Sequence, residues 1–129
     1  MTDAILSDLR VIECSQGIAG PYCCKLLAEY GADVVKVEPP LVGDTTRRQG
    51  PFPADVPDLD KSGLFLHLNT TKKSVTLDLA TVEGKEALLR LLAQADIIVE
   101  SCAPGQMISK LTYTLKFEGE QIKRLDISL

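Results

Sequence analysis

Histidine is nearly missing from this chain of 129 residues, where His67 stands alone. One imidazole cannot build a His-based metal site, and an isolated one reads as a structural or surface residue rather than a catalytic base. Cysteine occurs at Cys14, Cys23, Cys24 and Cys102, but never in the C-x-x-C spacing with which two thiolates share a zinc ion. No metal is expected, and the thiols are expected to be reduced and structural, as in a reducing compartment. Basic charge is in deficit: 14 Lys and Arg stand against 18 Asp and Glu, for a net charge of -4. General nucleic-acid binding is disfavoured, because neutralising phosphates needs a basic face. The opening MTDAILSDLR carries acids and no long apolar run, so neither a secretory signal nor a membrane span is expected, and the expected compartment is the cytoplasm.

What is present suits one α/β domain. The chain is 45% hydrophobic and 25% charged, enough apolar material for a single core. Leu9 to Cys14 is rich in branched apolar residues, as a strand buried on both faces would be. The loop SQGIAGP follows; Pro21 fits the first turn of a helix, with Cys23, Leu26, Leu27 and Tyr30 at helical spacing and Gly31 placed for a left-handed cap. Asp33 to Glu38 is the next strand, and the connection predicts a parallel βαβ unit. From Pro39 to Gly63 periodicity disappears, and a segment of that length reads as a functional or surface excursion. Leu64 to Leu68 fits a short helix or strand. A second βαβ unit is expected from a strand over Ser74 to Leu79, a helix from Thr81 through Ala95 with its apolar face on Ala87, Leu88, Leu91, Leu92 and Ala95, and a buried strand over Asp96 to Glu100. Gly84 weakens that helix slightly. Beyond Gln106, LTYTLKF alternates like a strand, and EGEQIKRLDISL fits a turn or short helix leading into one.

Parallel sheets bind ligands beyond the carboxyl ends of their strands, which selects Ser15 to Pro21, Glu38 to Arg48, Leu79 to Thr81 and Ser101 to Gly105. The helix start near Pro21 suits an anion, although Gly17 and Gly20 serve equally well as a plain tight turn. Glu38 stands about where a dinucleotide fold keeps its ribose-binding acid, but the G-x-G-x-x-G fingerprint lacks its middle glycine, which leaves a nicotinamide cofactor as the weaker alternative. Arg47 and Arg48, with Lys72 and Lys73, are basic pairs fit for phosphate or for a solvated face. Asp33, Asp44, Asp78 and Asp96 stand at element ends, where aspartates usually cap, and no base accompanies any of them as nucleophilic catalysis requires.

Four ordered segments resemble the start of a class III CoA-transferase, the family of formyl-CoA transferase, the carnitine CoA-transferase and alpha-methylacyl-CoA racemase. They are LSDLRVIECSQGIAGPYCCKLLAEYGADVVKVEPP, GDTTRRQGPF, LNTTKKSVTLDLATVEGKEALLRLLAQADIIVES and APG, covering Leu6 to Gly105. The resemblance implies a Rossmann-like parallel sheet with flanking helices, the N-terminal part of that fold, with residues 1–105 as the CoA-binding part and 106–129 as a divergent tail. It implies coenzyme A held by Ile18 and Ala19, by Leu77, Asp78, Leu79 and Ala80, and by Ser101, Cys102 and Ala103, much of it through backbone. Arg47 matches the arginine of the G-D-x-x-R motif, either facing the ligand or bracing the loop. Ser101 and Cys102 stand where relatives often carry Asn-Phe or Asn-Tyr, and Pro39 where some carry arginine. The reaction implied is transfer of CoA from an acyl-CoA to a carboxylic acid through an aspartyl intermediate, within an interlocked homodimer. The aspartate is expected beyond Leu129, so no catalytic residue is expected in this chain, which reads as a fragment. An acyl-CoA racemase of the same family, or a non-catalytic CoA-binding remnant, are the rival readings.

Overall fold

The computed structural model describes residues 4–101, 112–118 and 121–128. Strand β1 (Arg10–Cys14), helix α1 (Ala19–Glu29) and strand β2 (Asp33–Glu38) form the first unit. Two short turns of 3-10 helix, Thr45–Arg48 and Pro53–Asp55, and helix α2 (Gly63–Leu68) occupy the excursion and its exit. Strand β3 (Lys73–Thr76), helix α3 (Val82–Leu92) and strand β4 (Ile97–Glu100) follow. The four strands are parallel in the order β3-β2-β1-β4, so the second βαβ unit spans the first instead of pairing its own strands. Strands β5 (Thr112–Glu118) and β6 (Gln121–Ser128) form a separate antiparallel pair; β5 matches the alternation of LTYTLKF, and the segment after it is strand from Gln121 rather than a short helix leading into one.

The two sheet faces carry different cores, as the two-residue repeat of a strand dictates. Ile12, Cys14 and Val37 pack with Leu79, Leu88 and Leu92 on the α3 side, and Val11 and Val34 pack with Cys24, Ala28 and Ala32 on the α1 side. The expected apolar face of α3 is the observed one: Leu88 and Leu92 are buried, and Ala87, Leu91 and Ala95 are half-buried. The face of α1 is the expected one only at Leu27, which is half-buried against the α1-side core. The buried residues of this helix are Gly20, Pro21, Cys24 and Ala28, while Cys23 is exposed and Leu26 and Tyr30 are 39% and 59% exposed. Small side chains one turn apart let the helix lie close to the sheet, and close approach outweighs the larger hydrophobes.

Three other expectations shift. Strand β3 stops at Thr76; Leu77 N still donates to Glu38 O at 3.1 Å, and then the chain turns into α3, whose cap is Thr81 Oγ1 accepting from Gly84 N at 3.0 Å. Gly84 is there for space: a Cβ at that position would sit 1.9 Å from Asp78 O. Strand β4 is half-buried rather than buried, because it pairs with β1 alone and forms the sheet edge among the described residues. Gly31, at φ 106, ends α1 in the left-handed conformation expected of it.

Candidate functional site

At the carboxyl half of the sheet the α1 face changes character. Strand alternation continues Val11 into Glu13 and Ser15, and Val34 into Lys36 and Glu38, so apolar positions give way to charged ones on one surface. Glu13 and Lys36 are register partners on neighbouring strands. Lys36 Nζ lies 2.9 Å from Glu13 Oε1 and 2.8 Å from Asp44 Oδ2, and Lys72 Nζ lies 2.7 Å from Glu13 Oε2. The Lys72–Glu13 and Lys36–Asp44 contacts are charge contacts that lack hydrogen-bond angles at Glu13 Oε2 and Asp44 Oδ2. These four side chains are at most 2% exposed, and their charges cancel.

The GDTTR segment is a second buried unit joined to the first. Asp44 Oδ1 accepts from Thr46 N at 2.8 Å and Thr46 Oγ1 at 2.7 Å, capping the 3-10 turn, and Asp44 N donates to Glu38 Oε2 at 2.8 Å. Arg47 forks onto Glu38, with Nε to Oε2 at 2.7 Å and Nη2 to Oε1 at 2.8 Å. Its Nη1 donates to Leu59 O and Asp60 Oδ1, and its guanidinium lies 3.7 Å from the centre of the Phe65 ring. Every guanidinium nitrogen of Arg47 therefore has a protein partner, which makes the residue a brace across the excursion. Ser74 Oγ also donates to Glu38 Oε1, at 2.7 Å.

Titration follows from these contacts. Burial works to raise the carboxyls of Asp44 and Glu38, yet both lie below their ordinary values: Lys36 and Thr46 overcome burial at Asp44, and Arg47, Ser74 and Asp44 N–H overcome it at Glu38. For Lys36 burial is outweighed by Glu13 and Asp44, and its pKa rises; for Lys72 burial wins, and its pKa falls. Arg47 is raised by its hydrogen bonds to Glu38.

The strand ends expected to hold a ligand are arranged around this buried charge. Ile18 and Ala19 are exposed at the start of α1, which has neither a side-chain cap nor an acidic residue in its first turn. Ser101 is exposed beside them, since a Cβ on Gly20 would lie 3.2 Å from Ser101 Oγ. Leu77, Asp78, Leu79 and Ala80 form the turn beyond β3, at the opposite end of the strand order. Leu79 is buried in the core, so it offers that edge only backbone, whereas Asp78 and Ala80 are exposed. Cys102 and Ala103 lie outside the described residues. A cavity of about 210 Å³ opens between Glu38, Pro39, Gly43, Arg47, Asp60 and Thr76. No His, Cys, Asp and Glu group able to hold a metal occurs among the described residues, and no helix among them is long and apolar enough to cross a membrane.

A family model, CoA-transferase family III, matches residues 6–118. The chain belongs to this family. The match runs past Gly105, where the motif resemblance stops. Over 102 residues the chain is 48% identical to a succinyl-CoA:mesaconate CoA-transferase of Haloarcula hispanica, covering 79% of this chain and 26% of that one. A formyl-CoA:oxalate CoA-transferase of Escherichia coli is 43% identical over 78% of this chain and 23% of its own length. Among solved structures, a CAIB/BAIF family protein from Brucella suis superposes with a TM-score of 0.66 at 38% identity, covering 77% of this chain and 26% of that one. Rv3272 from Mycobacterium tuberculosis superposes with the same TM-score at 39% identity, covering 81% and 28%. The chain thus spans about a quarter of the length of the relatives it matches. The parallel sheet with flanking helices is the expected fold.

Sequence reasoning passed over Glu13, Lys36 and Lys72 as a unit. The available signal was a carboxylate and an ammonium inside two adjacent apolar strands, where a lone charge is too costly to bury unpaired.

Proposed function

We propose that this chain is the CoA-binding portion of a family III CoA-transferase, whose complete form moves CoA from an acyl-CoA to a carboxylic acid. The observation that carries the reading is the open start of α1: Ile18 and Ala19 are exposed, the first-turn amides have no side-chain acceptor, and Ser101 stands alongside. Such a helix start favours an anion, here the phosphates of the CoA nucleotide. The acids beneath do not oppose it, because Glu13, Glu38 and Asp44 are each matched by Lys72, Lys36 or Arg47. Leu77 to Ala80 and Ser101 serve as further walls, mainly through backbone, and Cys102 and Ala103 are assigned to the same set by the family resemblance alone. Arg47 holds the loop and does not bond the ligand.

In this reading residues 1–105 are the binding part and 106–129 a divergent tail. The transfer step, through an aspartyl anhydride and then an aspartyl-CoA thioester, belongs to an aspartate beyond the residues given, within an interlocked homodimer. Transferase rather than racemase chemistry is favoured by the relatives named above, both CoA-transferases. The test is a thermal melt of the purified chain with CoA and, separately, with NAD. CoA raises the melting temperature in proportion to the logarithm of its concentration, as ligand binding to the native state requires, and NAD does not. A shift with NAD alone reverses the reading.

A further inference from the structure

The backbone between β1 and α1 is held at three points by side chains from elsewhere. Ser15 O accepts from Lys36 Nζ at 2.8 Å, Gly17 N donates to Asp44 Oδ1 at 3.3 Å, and Pro21 O accepts from Lys72 Nζ at 2.8 Å. Those side chains come from β2, from the turn after it and from the α2–β3 connection, and Glu13 binds both lysines. All are shielded from solvent, so none is placed to touch a ligand. Desolvating four charges costs as much as it returns, and an apolar cluster would stabilise the sheet as well. What charged groups add is a directional hold on backbone atoms. The α2–β3 connection is bent to provide it: Thr71, just before Lys72, has φ 65, a conformation that a β-branched residue rarely takes, and Lys72 Nζ also donates to Asn69 Oδ1 at 2.9 Å.

We infer that Lys36, Asp44 and Lys72 are positioning residues that lock the segment Ser15 to Pro21 in the conformation that receives the CoA nucleotide, an inference that rests on the function proposed above. The segment turns through Gly17 at φ 81, where a Cβ would meet nothing within 4 Å, so side-chain packing does not fix the chain at that point. Ser15, buried and donating from Oγ to Glu13 Oε1 at 3.0 Å, anchors the start of the segment, and the three external holds extend that order through Gly17 to Pro21; a preorganised loop binds without the cost of ordering on contact.

The test separates holding the loop from holding the fold. Lys72→Met leaves the buried Glu13 with one cation, and its stability falls. Glu13→Gln combined with Lys72→Met restores charge balance, since Lys36 and Asp44 still pair, but Pro21 O stays without its donor. The double variant is expected to melt close to the unmodified chain, to exchange the amide hydrogens of residues 16–20 about tenfold faster, and to bind CoA about tenfold more weakly in a calorimetric titration. Asp44→Ala, which removes the one oxygen that Gly17 N shares with the Thr46 turn, gives the same readout at Gly17 and serves if the double variant does not fold. Unchanged exchange in this segment overturns the inference, and so does faster exchange with unchanged CoA affinity. If the unmodified chain itself does not bind CoA while loop exchange responds as expected, the CoA reading fails and the locking of the segment stands.

Discussion

Glu13 and Lys36 face each other across β1 and β2, with Lys36 Nζ 2.9 Å from Glu13 Oε1 and both side chains closed off from water. The pair sits where the apolar α1 face ends, and each partner reaches one further group of opposite charge, Lys72 from Glu13 and Asp44 from Lys36. A sheet that was apolar throughout would hold its layers together, but it would not join three separate connections at one point.

Removing one member should therefore cost more than the pair contributes. Lys36→Met leaves Asp44 without its cation and Glu13 with Lys72 alone, two carboxylates still buried in the same space. Breaking a buried pair from one side costs about 3–5 kcal/mol. Urea unfolding followed by circular dichroism should show that loss. A loss below about 1 kcal/mol, the size of a surface ion pair, would mean that water reaches the cluster in solution.

Acid should loosen the same region. Asp44 and Glu38 have folded pKa values below their ordinary 3.8 and 4.5, so the unfolded chain binds their protons more readily. Their contribution to stability is present above those ordinary values and is lost as pH falls through the folded ones. At the alkaline end Lys36 and Lys72 oppose each other. Lys36, raised, contributes below 10.5 and loses its contribution as pH rises through its folded value, whereas the penalty on Lys72, lowered, is relieved as pH rises toward 10.5. Unfolding free energy measured from pH 7 downward should begin to fall below about pH 5, and less steeply in Asp44→Asn. A profile flat to about pH 3 contradicts the assigned ion pairs.

Local periodicity made most of the fold legible. β1, β2 and α3 announce themselves through apolar runs and a 3.6-residue repeat, and those signals survive because each element buries the face its own pattern marks. α1 misleads for a physical reason: its larger hydrophobes look like a buried face, yet Gly20, Cys24 and Ala28 are what fit against a close sheet. The placement of Ile18, Ala19 and Ser101 at exposed strand ends was legible, and the charged cluster beneath them was hidden. Lys72 meets Glu13 across 59 positions of chain, and no local pattern encodes a pairing that the strand order creates. Arg47 was placed by its motif, but its role as a brace needed Glu38, Asp60 and Phe65 around it.

The adjacent thiols Cys23 and Cys24 should differ sharply in reactivity. Burial, reinforced by the Glu13 charge, pushes the Cys24 thiol up to about 12, while Cys23 is exposed on the outer side of α1. The thiolate is the nucleophile, so Cys24 offers almost none near neutral pH. Iodoacetamide applied to the native chain should label Cys23 and leave Cys24 unmodified until denaturant is added, as read by peptide mass mapping. Equal labelling of both under native conditions would place α1 further from the sheet than the buried face requires.

Two glycines with positive φ should respond unequally to the same change. Gly17 has φ 81 and no atom within 4 Å of an added Cβ, so Gly17→Ala meets only the backbone penalty of the left-handed region, about 1–2 kcal/mol. Gly43 has φ 59, and an added Cβ would lie 2.6 Å from both Glu38 Oε2 and Arg47 Cδ. Gly43→Ala meets the same penalty and must also displace the guanidinium from the carboxylate that it forks onto, stranding Glu38 in a nearly closed site. Freeing a buried carboxylate from its cation adds about 3 kcal/mol or more, so Gly43→Ala should be the more damaging by at least that margin in paired urea melts. Equal effects would show that Arg47 can move aside at little cost, and that Asp60, the Leu59 carbonyl and the Phe65 ring do not fix it in place.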